Sequence, residues 1–388
     1  MILLPLIIAG LALLTLLLPT LMLGRNWPRS KRREPVTVVV CARDEEATIL
    51  ECLLSLSEQT YPEELYQILL VDHLSRDRTG EIMDMFAEES PIRTRVIHVT
   101  EEEGPLQGKV QALEIALEQV ETEFVLLTDG DCTVPETWME RMLEYLEDDV
   151  AIINGHVRVQ DPDLDDRLIA TLQNTLNRMF LAFSAGYSAF QLPAKLYHPV
   201  LRPLRPLLSQ LRPSFNMGNN QGLRMSVYRS IGGFRDVGPT LIEDVALVNR
   251  ILHTTKYKVA VLMDPRVIVT TRPSKNYREF WRQYRRWASA SENVNNTTNK
   301  ALYVMLGLNR IGLPWMILLF PITGIIAAVL AGLGEYVLIR QANQVLGTKT
   351  TRMQVVLHLL AQITLNHMLM FALLLRVPVV WKGRVYES

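Results

Sequence analysis

Glu123-Phe-Val-Leu-Leu-Thr-Asp-Gly-Asp-Cys132 is the stretch on which the fold of this chain turns. An apolar run of strand length ends in two carboxylates, Asp129 and Asp131, separated only by Gly130. Both can turn toward one hard divalent cation, Mn²⁺ or Mg²⁺, and leave room for diphosphate oxygens. Asp and Gly are turn residues, so such a triplet alone is commonplace. Its place in a series of strands gives it weight. Upstream stand three more β-rich runs, Val36-Thr-Val-Val-Val-Cys41, Gln67-Ile-Leu-Leu-Val-Asp72 and Thr94-Arg-Val-Ile-His-Val99. Helical patterns separate them: one opening at Asp44-Glu-Glu with Ile49, Leu50, Leu53, Leu54 and Leu56 near helical spacing, one from about Thr79, and one from roughly Gln107 to Val120. Strand and crossover in alternation predict an α/β fold with a mostly parallel sheet flanked by helices. Ligands of such sheets sit beyond the carboxyl ends of the strands. That groups Cys41 to Glu45, Asp72 to Asp77 and Asp129 to Asp131 around one site.

Composition sets the surroundings. The 388 residues are 48% hydrophobic and 21% charged with net charge −1, and the mean hydropathy is +0.12, so apolar residues must be concentrated in blocks. Forty Lys and Arg against 41 Asp and Glu remove the bulk signature of a nucleic-acid binder. Cys41, Cys52 and Cys132 form no CxxC pair and no disulfide framework, which fits a reducing, cytosol-facing location. Residues 1–23 carry no charge and are long enough for an anchor, and the basic run Arg25, Arg29, Lys31, Arg32, Arg33 follows in a linker, 24–35. Residues 312–333 and 355–375 read as two further spans of a C-terminal membrane region, 301–388, with Glu335 to Met353 as the outer loop. His358 and His367 are the ionisable residues of the third span, without an acidic partner in the spans.

Further candidates lie downstream. Glu243 and Asp244 precede the apolar-periodic Val245 to Leu252, at a helix N-terminus, where they would serve as caps or as a base for an acceptor hydroxyl. Lys109 opens a helix and suits a phosphate. Tyr277 to Asn293 reads as a helix with Gln283, Arg286 and Trp287 on one face, a guanidinium beside an indole. Between 164 and 213, Leu172, Leu176, Met179, Phe180, Phe183 and Phe190 precede a Pro- and Arg-rich run with Arg202, Arg205 and Arg212. This reads as an amphipathic segment in the membrane interface, with packed core helices as the alternative.

Taken together these residues resemble family 2 glycosyltransferases, membrane-attached inverting enzymes of the GT-A fold. The resemblance runs over roughly Val36 to Ala290. Ala42-Arg43-Asp44-Glu45 resembles the family's A-R-N-E, and Gly108-Lys109 with Ala112-Leu113 its G-K-x-x-A-L. Thr128-Asp-Gly-Asp-Cys132 is similar to T-D-A-D-C, Gly218, Asn220 and Arg224 to G-x-N-x-x-x-R, Glu243-Asp244 to E-D, and Gln283-Tyr-Arg-Arg-Trp287 to Q-x-x-R-W. The family's V-D-D-x-S reads Val71-Asp-His-Leu-Ser75 here, so His73 stands where a second carboxylate is usual. A single N-terminal span, a C-terminal helical pair and the tail Trp381-Lys-Gly-Arg384 together resemble members that glycosylate lipids such as carotenoids, hopanoids or ceramides, with a cytosolic snorkelling cluster after a span as the alternative reading of the tail.

The resemblance implies a cytosolic GT-A domain over 36–300 that includes 164–213, held in a bacterial inner membrane. It implies a nucleoside diphosphate sugar donor, UDP- ahead of GDP-, bound by Ala42, Arg43, Glu45, Asp72, Lys109, Asp129 and Gly130. Mn²⁺ or Mg²⁺ would sit on Asp129 and Asp131. Asp244 would be the base, with Glu243, Gln283, Arg286 and Trp287 beside the reaction, and a membrane lipid hydroxyl would be the acceptor. A processive polysaccharide synthase and a catalytically silent scaffold are the alternatives.

Overall fold

The computed structural model of the chain describes residues 3–31, 33–102, 104–160, 167–211, 216–289, 297–381 and 384–386. Outside them fall Arg32, Arg212, Asn293, Lys382 and Gly383, and with them parts of the basic run, the 164–213 segment, the Q-x-x-R-W helix end and the tail. The chain enters as α1 (Leu3–Thr20) and then alternates β1 (Val36–Ala42), α2 (Ile49–Ser57), β2 (Tyr66–His73), α3 (Thr79–Glu89), β3 (Thr94–Val99), α4 (Lys109–Glu118) and β4 (Phe124–Asp129). Then come β5 (Cys132–Thr133), α5 (Trp138–Leu143), β6 (Val150–Asn154), β7 (Val157–Val159), α6 (Arg167–Ser188) and the short α7 (Arg205–Leu208). The chain returns through β8 (Asn220–Arg224), α8 (Met225–Ser230), α9 (Gly233–Val237), α10 (Glu243–Thr254), β9 (Lys258–Val261) and β10 (Val269–Thr271). It closes with α11 (Tyr277–Ser289), α12 (Thr297–Leu319), α13 (Pro321–Leu346), α14 (Arg352–Leu374), β11 (Val379–Trp381) and β12 (Arg384–Tyr386).

Two compact units result. The first, residues 26–160 with 215–272, is built on a seven-stranded sheet in the order β3-β2-β1-β4-β8-β6-β9. β1 to β4 are mutually parallel, as the alternation of strand and helix predicts, while β8 runs antiparallel to both β4 and β6. The sheet is therefore mixed and mostly parallel. Val39, Leu69, Val71, Val125 and Leu127 bury one sheet face against Val110, Leu113 and Leu117 of α4 and Leu247, Val248 and Ile251 of α10. A second, three-stranded sheet, β5-β10-β7, lies in the same unit and pairs Thr271 with Cys132. The helix expected to open at Asp44 starts instead at Ile49: Asp44 has φ +57, outside the helical region, and the residues up to Thr48 form a turn.

The second unit comprises residues 1–25, 161–214 and 273–388, so 161–214 belongs with the helices and not with the sheet. α6 packs against α1, α13 and α14 and buries Leu172, Leu176, Met179 and Phe183. A single span over 312–333 is not what forms. Pro321 has no N–H for an intrahelical bond and its ring excludes helical backbone before it, so Phe320 adopts φ −139, ψ 72 and two helices meet there. α13 then continues to Leu346, which places Glu335 inside a helix and not in a loop. A Cβ at Gly324 would lie 2.5 Å from Ile317 Cα, and one at Gly334 would lie 3.0 Å from Leu16 Cδ1, so small residues of α13 seat it on α12 and α1. Two helices, Pro321–Leu346 and Arg352–Leu374, are long and apolar enough to cross a membrane, and Leu6–Thr20 and Met305–Leu319 are shorter apolar stretches.

Candidate active site

The carboxyl ends of β1, β2 and β4 lie side by side because the strands are parallel and in register, Cys41 beside both Val71 and Asp129. Gly130 follows Asp129 under close constraint: a Cβ there would sit 2.9 Å from Ala42 Cβ and 3.2 Å from Ile49 Cδ1. The loops after β1 and β2 are laced together. Asp44 N–H donates to Ser75 Oγ (3.1 Å), Glu45 N–H to Thr79 Oγ1 (2.8 Å), and Arg76 N–H to Asp44 Oδ1 (2.8 Å). Glu45 in turn accepts the Thr48 hydroxyl, and Arg43 lies half-buried with its Nε 3.7 Å from Asp44.

Lys109 is the hub. Gly108 takes φ +62, where a side chain is disfavoured, and turns the chain into α4 so that Lys109 opens the helix. Its ammonium lies 2.6 Å from Asp129 Oδ1 and 3.1 Å from Glu243 Oε1. Enclosure works against the charge, but Asp129 first, then Glu243 and Asp244, hold the ammonium well above the ordinary lysine range. Beside it, burial pushes the Cys41 thiol up to about 12 despite the opposing Lys109, so this cysteine stays protonated.

Asp131 accepts a hydrogen bond from Thr271 Oγ1 at 3.2 Å and lies 3.4 Å from Cys132 Sγ. Thr271 escapes a reading of the sequence because it is 140 residues distant; the pairing of β10 with β5 brings it in. Asp244, in the first turn of α10, has both oxygens oriented by backbone: Gly218 N–H donates to Oδ2 (2.7 Å) and Val245 N–H to Oδ1 (2.8 Å). A carboxylate oxygen accepts more than one hydrogen bond, so these two donors do not exhaust the group. The residues of G-x-N-x-x-x-R divide: Gly218 touches Asp244, whereas Asn220 bonds Trp138 Nε1 and the His156 and Val267 carbonyls, and Arg224 bonds the Val150, Leu146 and Glu147 carbonyls.

Asp72 and His73 are engaged inside the unit. The Asp72 carboxylate accepts Ser75 N–H (3.3 Å) and pairs with His98 Nδ1 (3.1 Å), whose other nitrogen meets Asp84 (3.0 Å). The Asp72 hydrogen bond, helped by Asp84 against partial burial, raises His98 above the ordinary histidine value. His73 is buried with Nε2 3.0 Å from Gln111 Oε1. Thus Ala42, Arg43, Glu45, Asp72, Lys109, Asp129, Gly130, Asp131, Glu243 and Asp244 all fall in the sheet unit. Gln283, Arg286 and Trp287 lie on α11 of the helical unit.

Among the described residues no three His, Cys, Asp or Glu side chains gather in a metal cage. The donors present are two carboxylates flanking Gly130, one already salt-bridged to Lys109. That set fits a Mg²⁺-like ion that takes most of its ligands from water and a substrate's phosphates, not an all-protein cage.

An α/β domain with carboxylates and one lysine at the ends of parallel strands is the class these observations define. The chain belongs to glycosyl transferase family 2, whose sequence profile matches residues 37–232; the profile of glycosyl transferase family 21 matches residues 206–388. Among curated proteins it is 27% identical over 256 residues to a beta-monoglucosyldiacylglycerol synthase of Synechocystis, covering 65% of this chain and 47% of that protein. It is 30% identical over 129 residues to the glycosyltransferase AglE of Haloferax volcanii, covering 33% of this chain and 41% of that one. The chain spans about half the length of the curated relatives it matches. Among solved structures, the mannosyltransferase PcManGT of Pyrobaculum calidifontis, in complex with GDP-Man and Mn²⁺, superposes with TM-score 0.58 at 18% identity, covering 93% of this chain and 97% of that one. The GT-A-like fold implied by the sequence motifs is the fold observed.

Proposed function

We propose that this chain transfers one sugar from a nucleoside diphosphate sugar, UDP- ahead of GDP-, to the hydroxyl of a membrane lipid, with inversion and without processivity. The observation that carries the reading is the Lys109 ammonium held between Asp129 and Glu243, one residue from Asp244. A base, a cation and metal-type carboxylates stand together where α/β sheets bind their ligands. Asp244, oriented by two backbone N–H groups, takes the proton of the acceptor hydroxyl as its oxygen attacks the anomeric carbon. The bond from that carbon to the diphosphate breaks on the opposite side, and Lys109 offsets the charge that develops. Asp129 and Asp131 would hold Mn²⁺ or Mg²⁺, which supplies further charge to the leaving diphosphate when bound. The roles of Arg286 at the diphosphate, and of Gln283 and Trp287 at the acceptor, rest on the Q-x-x-R-W motif.

A lipid acceptor is supported by three findings. Two helices of the chain are long and apolar enough to cross a membrane, and relatives along about half their length are named as glycolipid synthases. Val200, Leu204 and Leu207 are exposed apolar residues among Arg202 and Arg205, the composition of a membrane-surface segment. The basic run after residue 23 supports a catalytic unit on the cytosolic side of a bacterial inner membrane.

The test is turnover by detergent-purified protein with Mn²⁺ or Mg²⁺, a panel of UDP- and GDP-sugars and a bacterial lipid extract, read by mass spectrometry. One hexose or aminosugar added to one lipid, and lost in Asp244→Asn with donor binding retained, is the expected result. A ladder of additions would replace this reading with a polysaccharide synthase, and a mutant within a few fold of wild type would remove Asp244 as the base.

A further inference from the structure

Gln173 lies in α6 among Ile169, Leu172 and Leu176, which are buried with Phe280 and Tyr284 of α11 and Leu365 of α14. A glutamine only 3% exposed within an apolar cluster must satisfy its amide locally. It does so completely on one partner pair. Gln173 Oε1 accepts the Ser274 backbone N–H at 3.0 Å, and Gln173 Nε2 donates to Ser274 Oγ at 2.9 Å and to Gln283 Oε1 at 2.8 Å. Ser274 Oγ also donates to Gln283 Oε1, at 3.2 Å.

One atom sets the polarity of this triangle. A backbone N–H can only donate, so the Gln173 atom facing Ser274 N is the oxygen and its other arm is NH₂. That NH₂ can only donate, so the Gln283 atom it meets is the carboxamide oxygen. The NH₂ of Gln283 is thereby turned away from Gln173 and Ser274, and it makes no hydrogen bond among the described residues. Arg286, three residues on, carries N–H donors alone.

We propose that Gln173, with Ser274, is a positioning residue that fixes Gln283 as a hydrogen-bond donor, so that Gln283 meets the acceptor substrate at an oxygen that accepts its N–H. This rests on the glycosyl-transfer reading and deepens it. Gln173→Glu is nearly isosteric and keeps an acceptor for Ser274 N–H. It has no N–H for Gln283, whose carboxamide then turns its NH₂ inward and its oxygen outward. Gln283→Glu keeps the acceptor that Gln173 needs and also presents oxygen outward. Both variants are expected to lower kcat/KM by about tenfold, the worth of one hydrogen bond, with the same division between kcat and KM. Wild-type kcat/KM in Gln173→Glu alongside an impaired Gln283→Glu would overturn the proposal. The second arm needs no turnover: melting midpoints in detergent for Gln173→Ala, Gln283→Ala and the double variant are expected to be sub-additive, and additive shifts would overturn it. If the wild type consumes no donor, the glycosyl-transfer reading falls while the midpoints still decide whether Gln173 holds Gln283.

Discussion

Lys109 is the residue on which the charge balance of the site depends. Asp129 Oδ1 and Glu243 Oε1 approach the same ammonium at 2.6 and 3.1 Å, so without it two carboxylates face each other uncompensated. Lys109→Met is expected to lower turnover about a hundredfold, as loss of a preorganised charge does. Its melting midpoint should also fall in thermal scans, because the two carboxylates then face each other without their shared cation, and an unchanged midpoint would contradict this. His98 gives a pH signature. Its folded pKa is raised above the ordinary 6.5, so its stabilisation is complete below that value and is lost as pH rises through the folded one. Wild-type midpoints measured from about pH 6 to about pH 8 should therefore decline, and His98→Gln should flatten that part of the curve.

At the scale of elements, β8 is the strand that a parallel reading misses. It inserts antiparallel between β4 and β6, and Gly222 pairs with Leu126 on one side and Ile153 on the other. A Cβ there would lie 2.5 Å from Ile153 Cγ1 and 3.1 Å from Leu126 Cδ2. Gly222→Ala is expected to destabilise the sheet unit by about 2 kcal/mol through overpacking, measured as a shift in denaturant midpoint with unchanged slope. The helices carry a comparable constraint. Glu335 of α13 accepts Arg310 of α12 at 2.8 Å and lies 3.3 Å from His358 of α14, all three largely buried. The acidic partner absent from the expected spans is thus supplied once α13 extends beyond 333. Removing it in Glu335→Leu leaves two buried bases unpaired and should cost roughly 3 to 5 kcal/mol, read as a lower melting midpoint in detergent that Arg310→Leu partly restores.

For the whole molecule, the helical unit is set apart by its surface. Ile322, Ile325, Val329, Leu360, Phe371 and Leu374 are exposed on α13 and α14, a run of apolar side chains of the composition that faces lipid or a partner. Membranes washed with alkaline carbonate are expected to retain the chain in the pellet, and release into the supernatant would argue against spanning helices.

What the sequence determined by itself is local. β-branched runs set the four parallel strands, and the carboxylates that end or follow them, Asp72, Asp129 and Asp131, are legible because a strand's end is marked by its own composition. Glu243 and Asp244 were legible in the same way, as the start of an apolar-periodic helix. Three features were decided by tertiary structure. Thr271 reaches Asp131 through strand pairing, Asp72 and His73 are turned to His98 and Gln111, and Gln173 reaches Gln283 across 110 residues. Proline marked the break at Phe320, yet uncharged composition ran through it, and hydropathy counts residues without regard to backbone hydrogen bonds. Long-range partners of a polar side chain leave no periodicity in the chain. They exist only once packing has excluded water and each buried donor and acceptor has had to find a mate.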